Sequence, residues 1–205
     1  MNKNLKLFIK TFIIGIIILL ILILLNALKN YMIIKSINNH ILEVFSNDNN
    51  YQVTITTDLL NNQTQRTNIY CANNIMKAEQ YGNDELNIVY WKNYNTNEIV
   101  YRELYANTNL GDFDYRQWLI EQYSINMNTK NPIDFFKVKL KSKNNTYIFE
   151  GVNIKIYYDK TSKELIKTEM PAPTKAPEDK DWPLITTTYS IQYGNVTSDN
   201  ITKPE

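Results

Sequence analysis

Side chains capable of nucleophilic, acid–base or metal chemistry are few in this chain and far apart. There is one His (His40) and one Cys (Cys71). A single Cys excludes an intramolecular disulfide and a CxxC redox pair, and one His with one Cys cannot supply a zinc site built mainly from those residues. Cys71 falls between Ile69 and Ala72 in an alternating run, with no His nearby in sequence to activate it, so it reads as a small packing residue. His40 neighbours Ile41 in a helical pattern and reads as a helix-boundary histidine. Asp112 with Asp114, and Asp179 with Asp181, are carboxylate pairs of the kind glycoside hydrolysis uses, but an i,i+2 spacing in a polar loop is solvated turn material. The stretch Asn107-Thr-Asn-Leu-Gly-Asp-Phe-Asp114 alternates oxygen side chains as a calcium loop does, yet its Gly is misplaced and the closing Glu is missing. No catalytic residue, cofactor or metal is expected.

Composition excludes further classes. Lys+Arg 22 against Asp+Glu 21 leaves a net charge of +1 and no case for nucleic-acid binding. Only 5 Gly are present, and neither GxGxxG nor GxxxxGK[ST] occurs, so phosphate-cradling loops are absent. The abundant Asn reads as compositional background. Matches to the glycosylation sequon at Asn62, Asn144, Asn195 and Asn200 are what an Asn-rich chain gives by chance.

With no reaction indicated, location and shape become the informative questions. The run Thr11–Leu28, TFIIGIIILLILILLNAL, carries no charge and at ~1.5 Å per residue spans about 27 Å, close to the hydrocarbon thickness of a bilayer. It exceeds the apolar core of a cleaved signal peptide, and no small-x-small site follows it. Lys3, Lys6 and Lys10 precede it and no acid occurs before Glu43, so the positive-inside rule predicts a cytoplasmic N-terminus and an uncleaved signal anchor. The expected organisation is a cytoplasmic stub and transmembrane anchor at 1–29, an extracytoplasmic β domain at 30–194, and a loosely held polar tail at 195–205. The segment beyond the anchor is slightly acidic and offers no basic face to anionic lipid.

Past the anchor, Ile33, Ile34, Ile37, Ile41, Val44 and Phe45 recur at helical spacing until the Asn cluster at 47–50. From Tyr51 the period becomes two, and strands are predicted from Tyr51 and near 65–72, 75–81, 86–92 and 97–105, separated by Asn-rich turns. A short helix carrying Tyr115, Trp118, Leu119 and Tyr123 on one face interrupts them, capped by Asp112 or Asp114. Strands resume near 134–142, 146–150, 153–159 and 163–169, and after a proline-rich loop at 171–183 the last strand is 184–193. The predicted fold is α+β: a transmembrane helix followed by a strongly curved antiparallel sheet, a half-barrel, with a helix on its concave face.

Several segments resemble the LolA-like family, the lipoprotein-carrier fold and its Gram-positive envelope relatives. These are Tyr51-Gln-Val-Thr-Ile-Thr after the membrane-proximal helix, Ile75-Met-Lys-Ala-Glu79, the hairpin Tyr157-Tyr-Asp-Lys-Thr-Ser-Lys-Glu-Leu-Ile-Lys-Thr-Glu169, and the closing Thr186-Thr-Thr-Tyr-Ser-Ile-Gln-Tyr-Gly-Asn-Val196. The resemblance covers about residues 32–200 and implies a half-barrel with an apolar cavity. It departs at Ile75, where the family often has Pro, and at Glu79, where carriers have Arg. A tethered chain cannot shuttle, so the resemblance implies the scaffold, and some relatives in spore-forming bacteria use it to bind an envelope enzyme.

The expected function is therefore non-enzymatic: a single-pass envelope protein that binds a partner protein or an apolar ligand, such as a lipid, at the membrane surface, with no nucleic acid involved. Expected contacts are Tyr115, Trp118 and Leu119 for a partner, and a loosely packed face of Ile33, Ile37 and Ile41 around a cavity for a lipid. The alternatives are a carboxylate-based envelope hydrolase, which needs two acids converging from distant strands, and a purely structural membrane-anchored module.

Overall fold

The computed structural model of the protein describes residues 3–46, 49–103, 113–125, 139–151, 154–172 and 183–204. The chain opens with one unbroken helix, α1 (Lys3–Ser46), 44 residues long. Its two halves obey different patterns. From Leu7 to Leu25 the large apolar side chains point outward on every side, as suits a helix solvated by hydrocarbon. From Ala27 onward one stripe is buried instead, comprising Ala27, Ile34, Ile37, Ile41, Val44 and Phe45. The switch from all-round to one-sided apolarity leaves a first half long and apolar enough to cross a bilayer and a second half that enters a folded core. Ala27 is only 7% exposed and Asn30 only 4%, so the core reaches down to the last turn of the apolar run.

Among the described residues ten strands follow in two meanders. β1 (Tyr51–Asp58), β2 (Thr64–Ala72), β3 (Ile75–Gly82), β4 (Glu85–Asn93) and β5 (Glu98–Glu103) step outward to one edge. After helix α2 (Tyr115–Tyr123), β6 (Lys139–Lys143), β7 (Thr146–Glu150), β8 (Lys155–Asp159), β9 (Leu165–Pro171) and β10 (Leu184–Tyr193) step inward from the opposite edge. The meanders join where β10 pairs antiparallel with β1, from Tyr51 opposite Tyr193 to Asp58 opposite Thr186. One ten-stranded antiparallel sheet results, open, with β5 and β6 at its edges. Bulges interrupt the register at Gln80/Tyr81 and Tyr157/Tyr158, positions where a sheet gains twist. The described part of the expected 134–142 strand begins at Lys139, and residues 173–182 of the proline-rich loop lie outside the described residues.

Asn proves to be more than background. Asn73, Asn74, Asn83, Asp84, Asn97 and Asn144 all have positive φ. Asn73-Asn74 and Asn83-Asp84 form the two-residue connections β2–β3 and β3–β4, where both central residues must be left-handed for the turn to match the strands' twist. Asn tolerates that conformation because its short amide bonds locally. The chain thus makes with Asn the tight hairpins that Gly usually makes.

Alternate residues of the sheet and the buried stripe of α1 form one core. Phe45 is fully buried, with its ring 5.4 Å from Tyr51 and 5.0 Å from Tyr123, both edge-on. The tail is not loose over its first half. Asn50 and Val196 exchange two hydrogen bonds, of 2.9 Å each. Trp91 donates its indole N–H to the Ile201 carbonyl at 2.8 Å, and Val196 and Ile201 are buried against Ala72 on the sheet's other face.

Candidate functional site

The core-facing rows of the central strands change character together at one end. Along β1 the row runs Tyr51, Val53, Ile55, Thr57; on β2 it runs Cys71, Ile69, Thr67, Gln65; on β3 it runs Met76, Ala78, Gln80. Pairing aligns the polar ends, with Thr57 opposite Gln65 and Thr187, and Thr67 opposite Gln80. Helix α2 sets Trp118 and Gln122 beside this end, and Ile156, Thr168 and Met170 of β8 and β9 complete the far wall. These groups enclose a groove of about 320 Å³, which falls at the lower end of the ~300–1,000 Å³ common for ligand sites. Every described side chain lining it is uncharged: threonines and glutamines among isoleucines, Met170, Trp118 and Tyr189. Thr57 and Thr187 share a hydrogen bond of 3.1 Å across the strands.

What fixes Trp118 is the anchoring of α2 at both ends. At its start Asp114 is the cap: Oδ1 accepts the Arg116 and Gln117 amides at 2.8 and 3.3 Å and the Tyr94 hydroxyl at 2.8 Å. Its Oδ2 accepts Lys92 Nζ at 2.9 Å, tying the cap to β4. Of the two candidate caps in the sequence, Asp114 therefore does the work, and Asp112 lies outside the described residues. Burial pushes the Asp114 carboxyl up, but the hydrogen bonds from Lys92, Tyr94 and the Gln117 amide outweigh it and hold the group below the usual carboxylate range. The Arg116 guanidinium stacks 3.9 Å from the Tyr94 ring centre and points Nη2 at the Cys71 sulfur, 3.7 Å away. At the other end of α2, Tyr123 is buried between Phe45 and Tyr189, and its carbonyl accepts the Tyr158 hydroxyl at 2.6 Å. Asn38 of α1 makes a reciprocal pair of bonds with the Ile125 backbone, at 2.9 and 3.2 Å.

Around this knot the Tyr94 and Tyr158 hydroxyls donate, to Asp114 and to the Tyr123 carbonyl, while the Tyr123 hydroxyl is buried with no hydrogen-bond partner among the described residues. Burial pushes the hydroxyls of Tyr51, Tyr94 and Tyr123 well above their ordinary range, and for Tyr51 the neighbouring Cys71 adds to the effect. Cys71 itself is fully buried, in keeping with a packing role.

The structure separates the residues expected to make contacts. Trp118 lines the groove and is only partly buried. Tyr115 and Leu119 turn into the core, at 8% and 0% exposure, and Tyr115 meets Trp118 edge-on at 5.7 Å instead of forming an open surface. Ile37 and Ile41 are packed at 1% and 2% exposure and Ile33 is partly buried, so this face belongs to the core and does not border the groove. Gln65, Gln80, Thr57 and Thr187 were missed in the sequence. Their signal was present: a polar uncharged residue ending each inward row on strands that are otherwise apolar inside. It became readable only once the register placed those ends side by side.

His40 lies elsewhere, in a second depression with Glu43, Lys163, Glu164 and Tyr193, where its Nε2 is buried with no hydrogen-bond partner among the described residues. No group of three or more His, Cys, Asp or Glu able to hold a metal occurs among the described residues. Asp179, Asp181, Trp182 and most of the calcium-like stretch 107–114 lie outside them.

No family model and no curated protein matches the chain. Among solved structures it is similar to the crystal structure of an uncharacterized conserved protein from Thermus thermophilus, with a TM-score of 0.42 and 10% identity over 83% of this chain and 93% of that one.

Proposed function

We propose that the chain is a non-enzymatic, single-pass membrane protein whose extracytoplasmic domain holds an uncharged ligand in the groove beside α2, close above the bilayer. The observation that carries this reading is the described lining itself, a concave run of hydroxyls, amides and apolar rings with no group that titrates near neutral pH. Such a surface recognises and orients, but supplies neither a nucleophile activated by a base nor an acid–base pair. In this reading the sheet curls around α1 and α2 as a LolA-like half-barrel, with Lys3, Lys6 and Lys10 on the cytoplasmic side. The exposed apolar half of α1 supports the anchor, since its mean hydropathy of 3.1 is long sustained and unburied. A carboxylate-pair hydrolase would need two acids facing each other across the groove, and the described lining offers none.

Two results are expected. Trp118→Ala in the full chain should leave far-ultraviolet circular dichroism unchanged, because the ring is only partly buried, while occupancy of whatever co-purifies falls about tenfold. Native mass spectrometry of protein released from nanodiscs reads both arms; equal occupancy in the two proteins would remove the groove from the mechanism. The topology has its own check. Protease added to intact cells should digest the β domain and leave the N-terminal stub protected, and the reverse pattern in intact cells would refute the orientation.

A further inference from the structure

We propose that the groove selects a neutral, hydroxyl-rich ligand, a short uncharged oligosaccharide, in preference to an acyl chain. This deepens the reading of the groove as a binding site and depends on it. The observation is unspent hydrogen-bonding capacity: the side chains of Gln65, Gln80, Gln122 and Thr67 line the groove and make no hydrogen bond to any described residue. Each primary amide presents two donors and an acceptor, and each hydroxyl presents one donor and two lone pairs. An acyl chain laid across them would strip their water and return nothing. A charged ligand would meet no countercharge from the described lining, which holds no acid and no base.

A sugar fits both halves of the surface. Its hydroxyl edge both gives and accepts hydrogen bonds, as the glutamines and Thr67 do, and its C–H face matches the rings of Trp118 and Tyr189. An extended peptide is a poorer match, since the groove lies on the face of central strands whose main-chain groups are already spent on their neighbours in the ladder. A peptide recognised by strand addition would go to the outermost described strands, β5 or β6, away from these amides.

The test is saturation-transfer NMR on the full chain in nanodiscs, with three probes: a neutral β-1,4-linked N-acetylglucosamine tetramer, its sulfated analogue, and capped tetra-alanine. Saturable transfer from the neutral sugar alone is expected, with affinity reduced about tenfold by Gln80→Leu, which keeps the volume, and similarly by Gln80→Glu, which keeps the shape and loses both donors. Thermal melts confirm that each variant is folded. Absence of saturable sugar binding, preference for the peptide or the sulfated sugar, or indifference to both Gln80 variants would overturn the proposal. If the sugar fails while Trp118→Ala still strips a co-purified molecule, the groove remains a binding site and only its sugar preference falls; if Trp118→Ala also changes nothing, both fall.

Discussion

Phe45→Ala should destabilise the β domain by about 3–5 kcal/mol, the largest effect expected from a single truncation in this chain. Phe45 is fully buried and is the last large apolar residue of α1. Its ring fills the angle between Tyr51, the first residue of the sheet, and Tyr123, the last of α2. Removing it opens a cavity where three elements meet, and the two tyrosines cannot both collapse into it because each is held elsewhere. Tyr123 also packs edge-on against Tyr189 at 5.2 Å, and Tyr51 stands in the β1 ladder between β2 and β10. The exposed half of α1 shares none of these contacts, so membrane insertion should be unaffected. The prediction is therefore two-sided: carbonate-resistant membrane association unchanged, and limited proteolysis of the domain much faster. A domain equally resistant to protease in both proteins would show that the α1 stripe is not what holds the sheet.

The second large effect belongs to Asp114. Its carboxylate caps α2, receives the Lys92 ammonium and accepts the Tyr94 hydroxyl, so Asp114→Ala removes all three connections at once. Loss of the cap alone costs roughly 0.5–2 kcal/mol, and leaving Lys92 half-buried without its partner adds to that, for a total of about 2–3 kcal/mol. The pH dependence has a definite sign. The folded carboxyl titrates below its unfolded value, so its stabilisation is complete above the ordinary carboxylate range near pH 4 and is lost as pH falls through the depressed folded value. Chemical denaturation of the wild type between pH 2 and 5 should show this loss, and Asp114→Asn should flatten it while keeping a side-chain oxygen for the cap. An Asn variant with the same slope over that window would assign the acid sensitivity to other carboxylates. Because Asp114 positions α2, Asp114→Ala should also weaken whatever Trp118 contacts.

The legibility of this protein in its sequence divides by the range of the interactions involved. The α1 span, the amphipathic stripe continuing from it, nearly all the strands and the single short helix were readable, because each depends on a local period: unbroken apolarity, a spacing of three and four, or alternation by two. Two residues, Asp112 and Asp114, were equally good caps by type, and only the return of α2 beside β4, with Lys92 and Tyr94 in place, distinguished them. Asn73-Asn74 and Asn83-Asp84 were legible as turns, but that both residues of each turn are left-handed followed only from the pairing of the strands they join.

The chain by itself determined an apolar helix long enough for a bilayer, an α+β architecture built from hairpins, and a chemistry poor in nucleophiles and metal ligands. Tertiary structure decided the rest. It turned Tyr115, Leu119, Ile37 and Ile41 into core, left Trp118 at a groove, and drew the tail at Val196 and Ile201 onto the sheet. It also brought Thr57, Gln65, Gln80 and Thr187 together from four strands, with Thr57 and Thr187 joined across the central pairing of the two meanders. The physical reason is that a strand's period says which residues share a face, whereas strand order and register say which of them are neighbours. Those are fixed by pairings that close over most of the chain, as β1 with β10 does, and no local pattern encodes them.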